Sequence, residues 1–191
     1  MSKDLGDTDL GRLREQLERL SRLIRQQGFE EGLNPAQWEA LRYVSRANRF
    51  SITPGALAQY LGSTKGTVSQ TLLSLEKKGL LQKVQSAADA RVVLLALTST
   101  GTEMLARDPL LSLSADIGAL SGKTGRRLAK GIDEILQGQI NSGKQSEFGG
   151  CRDCRHWRDR SGEDLFSRCM LFDADLAKNE LSKLCLYHLQ R

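Results

Sequence analysis

The residues with the most chemistry in them are gathered towards one end of this chain. All four cysteines and both histidines lie at or beyond position 151, and residues 1–150 contain neither type. The cysteines run C-x2-C-x14-C-x15-C through Cys151, Cys154, Cys169 and Cys185, with His156 and His188 two and three residues past the second and fourth. A C-x2-C pair sets two thiolates on one tight turn, which suits a single metal centre. Four thiolates satisfy either a tetrahedral zinc or a [4Fe–4S] cluster. The spacing favours the cluster as the expected cofactor, because zinc ribbons usually present two paired knuckles whereas Cys169 and Cys185 stand alone. Trp157, Leu171, Phe172 and Tyr187 are apolar neighbours able to shield a cubane. Zinc on Cys151, Cys154, Cys185 and either Cys169 or His188 is the alternative, and thiols that switch through a disulfide are the third reading. Arg152, Arg155, Arg158 and Arg160 would stabilise thiolates or an anionic cluster, or touch a polyanionic partner. A segment this short has little apolar surface, so the metal would also staple its fold.

The rest of the composition bounds the partners. A net charge of +5 and a pI near 9.2 favour a polyanion. The longest purely apolar run, VVLLAL at 92–97, is too short to span a bilayer, and MSKDLGDTDLGR carries no apolar signal core. The expectation is a soluble cytoplasmic protein, where clustered cysteines serve metals or redox chemistry rather than structural disulfides. With no histidine in residues 1–150, that part cannot hold a His-based triad or dyad. The C-x2-C pair also lacks the βαβ setting of a thiol oxidoreductase, so no enzyme is expected.

These residues need a scaffold, and hydrophobic periodicity supplies one. Leu10, Leu13, Leu17, Leu20 and Ile24 form a stripe on a helix over 9–28, capped by Asp9 and ended by Gly28. A second helix opens at Asn34 and Pro35 and runs to 46, with Trp38, Leu41 and Val44 facing the core. Thr53 caps a short helix that stops at Gly62. Ser63 or Thr64 caps the next, which Gly79 ends. The period then changes to two strands, 80–86 and 91–97, bridged by AADA. Helical segments follow over 98–120, with a break at Pro109, and over 121–140. A helix-turn-helix followed by a hairpin is the winged-helix order. The fold class is therefore mainly α with a small β-hairpin wing. The winged-helix domain spans 9–142, a polar, Gly-rich linker 143–150, and a metal-binding module 151–191.

The segments LNPAQWEALRYV, LAQYLGSTKGTVSQTLLSLEKKGLL and above all DARVVLLALTSTG make residues 10–142 resemble the MarR family of transcription regulators. That resemblance implies a homodimer held by its N- and C-terminal helices and bound to a double-stranded DNA operator. It also implies a minor-groove or phosphate role for Arg91, and admits a small phenolic effector, in which case the four cysteines would hold a structural zinc. The cysteine module lies outside the family pattern. It is similar to small cluster-binding subunits of some glycyl-radical enzymes.

The recognition residues can be read independently of the family. On the helix over 64–78, Val68, Leu72 and Leu75 form the docking face. The opposite face and first turn present Thr64, Lys65, Thr67, Ser69 and Gln70, short hydrogen-bonding groups plus one cation, suited to base edges and phosphates in a major groove. Asp89 would hydrogen-bond within the wing turn and orient Arg91, while Ala87, Ala88 and Ala90 let the tip approach DNA. Gathering four thiols at one site suggests a repressor that senses redox state or iron. Cluster loading would then move the module against the dimerisation helices.

Overall fold

A computed structural model describes residues 6–87, 89–144, 146–159 and 167–191. Among the described residues, seven α-helices and a hairpin run up to position 141. They are α1 (Asp7–Glu30), α2 (Pro35–Arg46), α3 (Pro54–Tyr60), α4 (Lys65–Lys77), β1 (Leu81–Gln85), β2 (Val93–Leu97), α5 (Ser99–Leu105), α6 (Pro109–Gly118) and α7 (Gly122–Asn141). A small antiparallel sheet follows, with strand order β3 (Trp157–Arg158), β4 (Ser167–Cys169), β5 (Ala174–Leu176), flanked by 3₁₀ turns at Cys151–Asp153 and Lys178–Glu180.

Local chemistry explains most of these boundaries. Asn34 accepts from the Gln37 amide at 2.9 Å while the Gln37 side chain accepts from the Asn34 amide at 3.1 Å, a reciprocal cap that starts α2 at Pro35. Thr53, Thr64 and Thr98 cap α3, α4 and α5 in the same sense, each hydroxyl accepting a backbone N–H three residues on. Gly79 takes φ +69°, a left-handed conformation that turns the chain from α4 into the hairpin at little steric cost. Asp108 caps α6 ahead of Pro109, so the segment 98–120 breaks into two helices there. The start of α1 differs from expectation: Gly6 holds the cap position without a side-chain bond, and Asp9 lies inside the first turn. An acidic side chain there still complements the helix dipole.

The core sits where α2, α3 and α4 meet the hairpin. Trp38, Leu41, Tyr43, Leu57, Leu72, Leu75, Leu81 and Leu95 are all fully or nearly fully buried in it. Ile52, in the turn before α3, accepts the Leu95 amide at 2.9 Å and so adds a third backbone partner to the wing. Buried Gln37 donates to Ser74 at 2.8 Å and ties α2 to α4. By contrast, Leu10, Leu13, Leu17, Leu20 and Leu23 on α1, and Leu128, Ile132, Ile135 and Leu136 on α7, are exposed.

The cysteine-bearing segment is joined to this core through the backbone. Leu184 forms a parallel bridge with Ala47, its amide donating to Arg46 O and its carbonyl accepting from Asn48 N, both at 2.8 Å. The Leu186 amide donates to Ser51 Oγ at 2.7 Å. Phe148, within the stretch read as a linker, packs edge-on against Tyr43 and Tyr60 at 6.4 and 5.0 Å. Phe148, Leu184 and Leu186 thus pack against the winged-helix core, while Cys151, Leu176 and Leu181 form a second, smaller cluster that meets it through Phe50 in the turn between α2 and α3.

Candidate nucleic-acid interface and cysteine site

On α4 the periodicity resolves as expected, with Val68, Leu72 and Leu75 buried and Lys65, Thr67, Ser69 and Gln70 exposed. Thr64 has a second duty. Its hydroxyl accepts the Thr67 amide at 3.2 Å and lies 2.9 Å from the Thr67 hydroxyl, so the two threonines hold the helix start that points their groups outward. Lys65 and Ser69 line a shallow surface cleft shared with Pro54, Gly55, Lys83 and Val93.

In the wing, Asp89 Oδ1 accepts from the Arg91 amide at 2.9 Å, which fixes the backbone that carries the exposed Arg91 side chain. Arg91 lies in the turn rather than at the start of a strand, since β2 opens at Val93. Ala88 lies outside the described residues. Two nearby cations have protein partners: Lys83 pairs with Glu76 at 2.7 Å and Lys78 donates to Gly32 O at 2.6 Å.

The four cysteines converge although they are spread over 35 residues of sequence. Cys151 opens a 3₁₀ turn, Cys154 follows it, Cys169 ends β4 and Cys185 sits in the segment bonded to the α2–α3 turn. All four are free thiols lining one cavity, with Asn48, Phe50, His156, Trp157 and Phe172 among its walls. The cavity they leave between them is tight, about 10 Å³. Burial pushes the Cys151 thiol up to about 12, and the neighbouring Cys185, Cys169 and Cys154 add to the rise, as four like groups in one place must. Among the described residues, however, no three His, Cys, Asp or Glu side chains are grouped closely enough to hold a single metal ion.

His156 lines the cavity, but His188 does not. The His188 Nδ1 meets Glu147 Oε1 at 2.7 Å, and its ring lies flat against Gly149, where a β-carbon would stand 2.7 Å from Nε2. Only glycine allows that approach. Of the arginines around the cysteines, Arg152, Arg155 and Arg158 are exposed, and Arg160 lies outside the described residues.

Sequence reading missed the residues that the winged-helix half contributes to this site. Asn48 is 1% exposed and Ser51 fully buried, and Phe50 stacks on Phe172 with ring centroids 4.2 Å apart. Arg49 lies over the Phe50 ring, pairs with Glu180 and donates to the Asp175 carbonyl. The available signal was ANRFS, a polar turn holding one arginine and one aromatic residue between two capped helices. The module therefore packs against the α2–α3 turn.

Comparison with known proteins places the first part of this arrangement. Residues 31–92 match the family model described as MarR family. The match takes in α2 to α4 and β1, together with the wing turn up to Val92. Among solved structures, Streptococcus pneumoniae FabT in complex with DNA is similar at 24% identity and a TM-score of 0.57, covering 70% of this chain and 99% of its own. The S. aureus MepR–DNA complex is similar at 19% identity and a TM-score of 0.53, covering 72% and 99%. The YusO protein from Bacillus subtilis is similar at 18% identity and a TM-score of 0.51, covering 70% and 99%. At these identities the likeness establishes the winged-helix fold. No curated protein matches the sequence.

Proposed function

We propose that this chain is a homodimeric DNA-binding transcription regulator, not an enzyme, and that its four cysteines hold a [4Fe–4S] cluster that adjusts operator binding. The observation that carries the DNA reading is the exposed outer face of α4 beside an oriented wing arginine. Lys65, Thr67, Ser69 and Gln70 would meet base edges and phosphates in a major groove, with Thr64 holding the helix start and Arg91 reaching the backbone or minor groove. The similarity to DNA complexes of FabT and MepR supports the same use of the fold. The exposed leucine and isoleucine stripes of α1 and α7 suit a subunit interface, since monomers rarely leave such continuous apolar faces open.

Four free thiols on the walls of one cavity support a shared cofactor. The lone positions of Cys169 and Cys185 favour a cluster over the paired knuckles of a zinc ribbon. Held by Cys151, Cys154, Cys169 and Cys185, the cluster would supply one-electron redox chemistry.

The experiment begins with full-length protein purified without oxygen. A brown colour with iron and sulfide in a four-to-four ratio per chain is expected. A colourless protein holding zinc would refute the cluster. Selection of bound duplexes from a random pool should then enrich a palindrome with half-sites about 34–36 Å apart, at a different affinity for loaded and apo protein. No enrichment would refute operator recognition, and equal affinities would refute sensing.

A further inference from the structure

Buried N–H groups almost always find an acceptor, and two that lack one here share a wall. Asn48 Nδ2 and Trp157 Nε1 are buried without a hydrogen-bond partner, and both residues line the cysteine cavity. They come from different halves of the chain, Asn48 from the α2–α3 turn and Trp157 from β3.

The Asn48 amide cannot be turned round. Its Oδ1 accepts from the Phe50 and Ser51 amides at 3.1 and 3.0 Å, which only the carbonyl oxygen can do. The remaining group is therefore an NH2, and an indole nitrogen is likewise only a donor. Two fixed donors thus border a cavity whose most numerous polar groups are thiols.

We propose that Asn48 and Trp157 donate hydrogen bonds to sulfur in the four-cysteine site, which makes the α2–α3 turn part of that site. The inference rests on the cluster reading above. Donors of this kind orient ligands and tune a cluster's potential. The same turn donates the Asn48 amide to Leu184 O, bonds Ser51 to Leu186 and leads directly into Thr53, the cap of α3. Occupancy of the sulfur site is thereby felt at the entrance to the helix-turn-helix, through Asn48.

Two substitutions isolate the donors in the full-length chain. Asn48→Asp keeps the oxygen that the Phe50 and Ser51 amides need and removes the NH2. Trp157→Phe removes the N–H, adds no charge and keeps an aromatic ring. Each protein is loaded with iron and sulfide without oxygen, and its midpoint potential is measured by titration of the visible absorption. Amide exchange at Phe50 and Ser51 is followed before and after loading. Both variants should still load, because all four cysteines remain. The midpoint should fall in each variant and further in the double variant. Loading should slow exchange at Phe50 and Ser51 in the wild type, and do so less in Asn48→Asp.

An unchanged midpoint in Trp157→Phe, where no charge is introduced, overturns the proposal. So does exchange at Phe50 and Ser51 that ignores loading in the wild type. A wild-type chain that takes up no iron or sulfide sinks the cluster reading and this inference with it. Loaded wild type and variants of equal potential sink this inference alone.

Discussion

Ser51→Ala tests whether the cysteine module and the winged helix are one cooperative unit. Ser51 is fully buried, and its hydroxyl is the acceptor for the Leu186 amide at 2.7 Å. The other bonds at this position use its backbone, including the Tyr43 hydroxyl donating to Ser51 O at 2.5 Å, and survive the change. The substitution therefore strands one partly buried N–H, at a cost of about 1–3 kcal/mol. With a urea slope of about 2 kcal/mol per molar, the midpoint should fall by about 0.5–1.5 M. The chain has two tryptophans, one in each half: Trp38 in the α2 core and Trp157 at the cysteine cavity. Trp157→Phe leaves Trp38 as the reporter and Trp38→Phe leaves Trp157, so Ser51→Ala can be added to each background. Both reporters should show one coincident transition, displaced by the same free energy. Ser45→Ala serves as the control, because that hydroxyl is exposed and bonds only locally to Arg42 O. If the transitions separate in the parent backgrounds, or only the Trp157 signal moves with Ser51→Ala, the two halves are independent and the reasoning fails.

Further outcomes follow from other contacts. Arg91→Ala should weaken DNA binding across sequences and lower the salt slope by about one; an unchanged slope in filter-binding titrations rules out a phosphate contact. Burial alone would raise the Asp108 carboxyl, but the Arg42 hydrogen bonds at 2.5 and 2.6 Å and the Leu110 amide outweigh it and hold it below the ordinary carboxylate value. A depressed folded value means stability that is present above the unfolded value of about 3.9 and lost as pH falls through the folded one. Wild type should thus exceed Asp108→Asn by about 2 kcal/mol at neutral pH, and thermal melts should show the gap closing below about pH 4; a gap independent of pH refutes the ion pair. Ile135→Glu, at a position 61% exposed on α7, should yield a folded monomer by sedimentation, and an unchanged mass would remove α7 from the interface.

How much of this was legible depends on the distance over which each feature is decided. Asn34, Thr53, Thr64 and Gly79 announce helix ends because a cap is satisfied within three or four residues of itself. The outer face of α4 was readable for the same reason: Val68, Leu72 and Leu75 fix its inner face by spacing alone. The convergence of four cysteines on one cavity was anticipated from their type and spacing, without any means of locating its walls. Asn48, Phe50 and Ser51 could not be found that way. Their partners are Leu184, Phe172 and Leu186, and no local pattern in ANRFS marks a turn that will be buried by a distant segment. Phe148 was hidden similarly, a lone aromatic in a Gly-rich stretch whose packing against Tyr43 and Tyr60 is a tertiary event.

The bond from Leu186 to Ser51 spans 135 residues and has a consequence for biosynthesis. At about 5–20 residues per second, the ribosome adds the partner of Ser51 roughly 7–27 s after Ser51 itself. Throughout that interval the nascent winged helix carries an open turn immediately before α3. A chain released early would present α4 and the wing on a frame whose entrance is unfinished. Such a product would be open to proteolysis at that turn, so synthesis of the Leu186 segment itself protects the winged-helix half.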